Sequence, residues 1–172
     1  PNGAGKSTFL KLCAGQLAPS QGSVTVLDLP SWGHPELFHR VGLCPEADAL
    51  WDQLTGQQFL VALMRLSGFD DAECARRAQA ALETVDLVAA RDRRCGGYSR
   101  GMRQRLKLAQ ALAHDPQVLL LDEPLTGMDP INRRRAVDLV KRLAKEGRTI
   151  VVSSHVLHEV ESMTRRVLLI HN

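Results

Sequence analysis

Three groups of residues in this sequence could do chemistry together. Pro1-Asn2-Gly3-Ala4-Gly5-Lys6-Ser7-Thr8 follows the pattern G-x-x-x-x-G-K-[ST], with the leading glycine falling ahead of residue 1. Glycines let a backbone curl until successive N–H groups point at one phosphate, and the helix start that follows adds its positive dipole end. Asn2, Gly3, Ala4, Gly5, Lys6, Ser7 and Thr8 are therefore candidate phosphate-binding residues. Lys6 brings a point charge for β- and γ-phosphates, and Ser7 a hydroxyl for Mg²⁺. The second group is Leu121-Asp122-Glu123, two adjacent carboxylates closing an apolar run. The third is Ser153-Ser154-His155, closing another. Asp122 can hold Mg²⁺ directly or through water. Glu123 is then placed to orient and deprotonate an attacking water, and His155 to contact the γ-phosphate or that water. Taken singly, an acidic pair after a strand is a helix cap and a lone histidine is structural. Together with the phosphate loop they read as one site.

Such a site needs elements that bring distant segments to one edge. Residues 6–14 read as a helix with Gly15 as its stop. Residues 23–27 and 41–44 read as short strands. Thr55-Gly56-Gln57-Gln58 has capping-box form and opens a helix to about residue 67, and Asp70-Asp71-Ala72-Glu73 opens another through residue 84. A helix runs from near Ser99 to about His114. Val118-Leu119-Leu120-Leu121 looks like a strand buried on both faces. Asp129-Pro130 starts a helix that ends before Gly147. Residues 149–152 form another buried strand, 155–163 a helix and 167–170 a last strand. Alternating strands and helices imply an α/β fold with a mostly parallel sheet flanked by helices. In such sheets the ligand crevice lies outside the carboxyl ends of the strands, where Lys6, Ser7, Asp122, Glu123 and His155 all fall. The stretch 53–114 lacks clear strands and reads as a helical subdomain inserted between the core segments 1–52 and 115–172.

Composition narrows the function. With 44 % hydrophobic and 24 % charged residues among 172, a disordered chain is excluded and one domain of roughly 100–200 residues is expected. The longest apolar run, residues 59–64, is far short of the ~18 needed to cross a bilayer. A net charge of +3 from 22 Lys+Arg and 19 Asp+Glu does not imply nucleic acid. Arg91-Asp92-Arg93-Arg94 and Arg133-Arg134-Arg135 could form phosphate strips, or solvated surface beside acids. Cys13, Cys44, Cys74 and Cys95 contain no C-x-x-C pair and read as reduced thiols of a cytosolic compartment. Because residue 1 lies inside a motif, the sequence reads as an internal fragment.

In this order, the segments resemble the ATP-binding cassette (ABC) ATPases over nearly the whole chain. Tyr98-Ser99-Arg100-Gly101-Met102 sits where that family has its Leu-Ser-Gly-Gly-Gln signature. Leu125-Thr126-Gly127-Met128-Asp129 resembles the D-loop, His155 matches the switch histidine, and Cys44-Pro45-Glu46 lies at the Q-loop. The resemblance implies a phosphate-loop NTPase core with an inserted helical subdomain. It also implies ATP and Mg²⁺ as cofactors and a second ABC ATPase domain as partner. Two cassettes would pair head to tail, so that Ser99, Arg100, Gly101, Met102 and Asp129 of one meet the nucleotide held by the other. Glu46 stands where the family has a glutamine touching metal or water, and joins Ser7 and Asp122 as a candidate metal ligand. Its extra charge predicts an altered Mg²⁺ dependence. Arg100 replaces a signature glycine and either turns away or reaches the phosphates. The family places an adenine-stacking aromatic upstream of residue 1, and without the strand that feeds the loop the fragment is expected to fold poorly and hydrolyse ATP weakly.

The signature and the Cys-Pro segment look most like the ABC-2 type, often export systems. The resemblance then implies a transporter ATPase peripheral to the cytoplasmic face of the cell membrane, docked to a transmembrane permease near residues 46–55. Leu50 and Trp51 are either contact residues or subdomain core. The alternative is a soluble ABC ATPase acting on ribosomes or DNA. A nucleotide kinase would share the loop but leaves the signature and His155 unexplained.

Overall fold

The structure, a computed structural model, describes residues 4–164 and 166–170. Among the described residues, three parallel strands in the order β3-β4-β5 form the main sheet: β3 is Val41–Cys44, β4 Val118–Asp122 and β5 Thr149–Ser153. β4 is central, and every residue of it is buried. Because strand side chains alternate faces, Leu119 and Leu121 join one core cluster while Val118 and Leu120 join the other. The second cluster is closed by α1 (Lys6–Cys13) through Leu10 and Cys13, and by Leu37 of α2 (Pro35–Arg40).

The larger cluster runs without a break from the sheet into α3 (Gly56–Leu66), α4 (Asp71–Thr84), α5 (Arg100–Leu112) and α6 (Pro130–Lys145). Phe59, Leu60, Met64 and Leu82 fill its helical end. Thr55 begins α3 with a complete capping box: its hydroxyl accepts from the Gln58 N–H, and the Gln58 side chain accepts from the Thr55 N–H. Asp70 caps α4, but Glu73 turns to Arg76 and Arg77 instead of reaching back. α5 comes so close to the sheet that a Cβ on Gly42 would sit 2.0 Å from the Ala111 carbonyl. Only glycine fits there.

Several expected elements differ. The strand expected over 23–27 is reduced to β1 (Thr25–Val26), paired antiparallel with β2 (Leu29–Pro30). Leu27 and Asp28, both at positive φ, make the primed turn that suits hairpin twist. β5 is not buried throughout: it lies at the sheet's edge, Thr149 and Val151 are exposed, and burial returns at Ser153. Residues 166–170 form no strand, since no described strand offers them a ladder, and Leu168 and Leu169 are exposed. The last helix, α7, is Leu157–Met163, later in starting than expected. Three of the clustered arginines pair with acids: Arg91 with Asp92, Arg133 with Glu159 and Arg135 with Asp86. All four cysteines are free and buried, and among the described residues no helix is long and apolar enough to cross a membrane.

Candidate functional site

Gly5 precedes α1 at φ +85°, a left-handed backbone that costs an L side chain about 1–2 kcal/mol. A Cβ there would meet nothing within 4 Å, so the dihedral, not crowding, demands glycine. No side chain caps the helix start, and a helix start of this kind, with Ser7 and Thr8 in its first turn, presents N–H donors to an anion. Lys6 and Ser7 are half-buried in that turn, Thr8 is exposed, and Ala4 is buried. Leu10 and Cys13 seat α1 against Val118 and Leu120, on the strand that ends in the acidic pair. Asn2 and Gly3 lie outside the described residues.

Asp122 and Glu123 are only 4 % and 7 % exposed. Buried carboxylates need partners, and both have them. Asp122 Oδ1 accepts from the hydroxyl of Ser153, its register partner on β5. Glu123 sits at φ +48°, a conformation rare outside glycine and asparagine. Three bonds hold it there: its N–H donates to the Ser153 carbonyl at 3.1 Å, and its carbonyl accepts from the Thr126 N–H at 3.2 Å and from Gln104 Nε2 at 3.3 Å. At the side chain, His155 Nδ1 lies 2.9 Å from Oε1 and Ser154 Oγ lies 3.5 Å from Oε2. A carboxylate only accepts, so Nδ1 is the donor and Nε2 of the half-exposed ring is kept for a second partner. A fixed base beside an orienting imidazole can align and deprotonate a water. Ser7 and Asp122 supply a hydroxyl and a carboxylate, hard oxygen donors that fit Mg²⁺. The bond from Ser153 engages Oδ1 of Asp122, so Oδ2 is the oxygen that would meet a cation.

Sequence reasoning missed how α5 ties these parts together. Arg103 reaches Asp48, Asp52 (2.7 Å) and the Cys95 carbonyl (2.8 Å). The Arg103 hydrogen bond holds the Asp48 carboxyl below its ordinary range. Lys107, 4 % exposed, donates to the carbonyls of Glu46 (2.7 Å) and Ala47 (3.4 Å). Gln104 grips Glu123 and lies 4.0 Å from Cys44 Sγ, whose thiol burial pushes up to about 12. A signal was present: Gln104, Lys107, Leu108 and Ala111, all buried, share one helical stripe in which two members are polar.

The signature residues open α5. Ser99 caps it, its hydroxyl accepting from the Met102 N–H at 3.3 Å, and Met102 packs on the larger core. Ser99 and Arg100 are exposed, and Gly101 is half-buried. A Cβ on Gly127 would lie 3.3 Å from Arg100 Cβ, so this segment and the signature touch within one chain. Asp129 caps α6 through Ile131 and Asn132, and the Asn132 bonds hold its carboxyl below the usual range. Glu46 has an exposed side chain. Leu50 belongs to the core, whereas Trp51 is exposed with one edge on Phe59.

The ABC transporter family profile matches residues 1–126. The chain is 40 % identical over 173 residues to the ABC transporter ATP-binding protein YxlF of Bacillus subtilis, covering 100 % of this chain and 57 % of that protein. It is 36 % identical to NatA, an ABC transporter ATP-binding protein of the same organism, over 99 % of this chain and 70 % of NatA. Against ATP-binding cassette sub-family A member 7 of Rattus norvegicus it is 37 % identical, over 99 % of this chain and 8 % of that one. The chain thus spans little more than half of the first of these relatives and a small part of the last. Among solved structures, the cassette MJ0796, a dimer in a post-hydrolysis state bound to ADP and Pi, superposes with TM-score 0.85 at 24 % identity, covering 95 % of this chain and 75 % of that one. At that identity the likeness concerns the fold.

Proposed function

From the premise that the chain belongs to the ABC transporter family, we propose that it is the part of a transporter that binds and hydrolyses ATP and couples closure of a cassette dimer to export. The observation that carries the reading is the Glu123–His155 pair, 2.9 Å apart at the end of β4 next to buried Asp122. In this reading the uncapped start of α1 and Lys6 hold the β- and γ-phosphates. Mg²⁺, when bound, neutralises charge on those phosphates, and Ser7, Asp122 and Glu46 are the residues that would hold it. Glu123 orients the attacking water and takes its proton. His155, with Nδ1 committed to Glu123, keeps Nε2 for the γ-phosphate or the attacking water. Ser99, Arg100, Gly101 and Met102 belong to the site of a second copy, with the N–H groups of Arg100 and Gly101 as the open donors and Asp129 at the same interface. Closure draws its energy from phosphate contacts made only when both walls are present, the differential affinity that a switch requires. Positioning and fixed donors account for most of the catalysis.

A peripheral place at the cytoplasmic membrane face and a transmembrane permease partner complete the proposal. Exposed Trp51 beside the Glu46 segment supports docking there. The test is Glu123→Gln in the full-length protein. We expect an ATP-bound dimer that does not turn over. A monomer with ATP and Mg²⁺ that keeps its turnover contradicts the assignment.

A further inference from the structure

One hydroxyl is shared between two buried acids. Ser154 Oγ lies 3.5 Å from Glu123 Oε2 and 3.2 Å from Glu159 Oε2, and accepts from the Val156 N–H at 3.1 Å. Glu159, on α7, is 7 % exposed like Glu123, so neither acid has water to spare. A serine carries a single O–H hydrogen. It serves one carboxylate at a time, and what else holds each carboxylate decides which. Glu123 has His155 on its other oxygen. Glu159 has Arg133 of α6, whose Nη1 lies 3.3 Å from Oε1.

We propose that Arg133, Glu159 and Ser154 form a positioning relay for Glu123. Ser154 Oγ rests nearer Glu159, and the guanidinium, by holding Glu159 Oε1, lets the Ser154 hydrogen pass to the second oxygen of Glu123 when that carboxylate aligns a water. With Oε1 on His155 and Oε2 on Ser154, the carboxylate plane is set for one water. The relay begins in the first turn of α6, one turn beyond its Asp129 cap. None of the three residues touches the reacting atoms. The proposal rests on Glu123 being the base assigned above.

The test is steady-state ATP turnover of the full-length protein. Ser154→Ala should lower kcat about tenfold, the size of one ordinary hydrogen bond, with KM for ATP within about twofold, and Ser154→Thr should restore it. Arg133→Met leaves Glu159 bare and competing for the hydroxyl, and should lower kcat by a similar factor. Adding Glu159→Gln removes the competitor, so the double variant should recover most of that loss, and Arg133→Lys should keep the activity. A double variant slower than Arg133→Met makes the ion pair a strut between α6 and α7 and overturns the relay. An unchanged kcat for Ser154→Ala overturns it too, even if the Arg133 variants do not fold. Should Glu123→Gln itself retain turnover, the assignment of the base fails instead, a result separable from any of these.

Discussion

The two corners to which the proposed chemistry is assigned differ in how much of their bonding one chain completes. At the end of β4 the acids are already held: Ser153 on Asp122, His155 on Glu123, Gln104 on the Glu123 carbonyl. At the start of α5 the donors are assembled but lie open. Ser99 uses its hydroxyl oxygen to cap the helix and keeps its hydrogen, and among the described residues that hydrogen has no acceptor. Preorganised dipoles cost nothing to arrange when the reaction occurs, which suits the first corner to bond breaking. Uncommitted anion donors on a surface suit the second to a phosphate held elsewhere. The contrast is what a site divided between two copies requires of each copy.

The largest blow to the first corner is Glu123→Gln. Turnover should fall by about 10²–10⁴ while ATP binding, measured by fluorescence titration, is retained. Ser99→Arg strikes the second corner, and turnover should fall about 10²-fold or more with ATP affinity at low protein concentration unchanged. A large loss of affinity there would place Ser99 in its own chain's site and erase the contrast. Arg103→Met cuts the tie between α5 and the 48–52 segment, next to the second corner. It leaves Asp48 and Asp52 without their shared partner and should cost about 1–3 kcal/mol in a denaturant melt. Removing the cap with Thr55→Ala, remote from both, should cost about 1 kcal/mol and leave turnover intact.

The smallest effect is a pH dependence outside both corners. Burial holds His114 below its ordinary value of 6.5, so the folded protein binds the proton later than the unfolded chain. Its contribution to stability is present above 6.5 and lost as the pH falls through the depressed folded value. Replacing His114 by glutamine should flatten the decline of stability below pH 6.5, read by melts across pH, without changing turnover.

The sequence made the buried strand and the capped helices legible because their signals are local. Four consecutive apolar residues before Asp122, a Thr-x-x-Gln box and an Asp-Pro pair each specify their own segment. It misjudged β5 and residues 167–170 because burial of a strand depends on which neighbours cover it, and an apolar run reads the same at an edge as in the middle. At the site, residue types and spacing pointed to Lys6, Asp122, Glu123 and His155. They did not disclose the bonds from Arg103 to Asp48, from Gln104 to Glu123 or from Lys107 to Glu46, because these join positions 19 to 61 residues apart and a polar residue on an apolar stripe does not name its partner. Ser154 was visible only as a companion of His155. Its role depends on Glu159, which no motif marked.

The division of the site between two copies is tested most directly by mixing two inactive proteins. Lys6→Ala disables the phosphate loop of one full-length chain, and Ser99→Arg disables the donor wall of the other. In the mixed dimer, one site joins the intact loop of the second chain to the intact wall of the first. ATP turnover should therefore reappear on mixing, dependent on dimer formation. Two variants that stay as inactive together as they are apart would contradict the account.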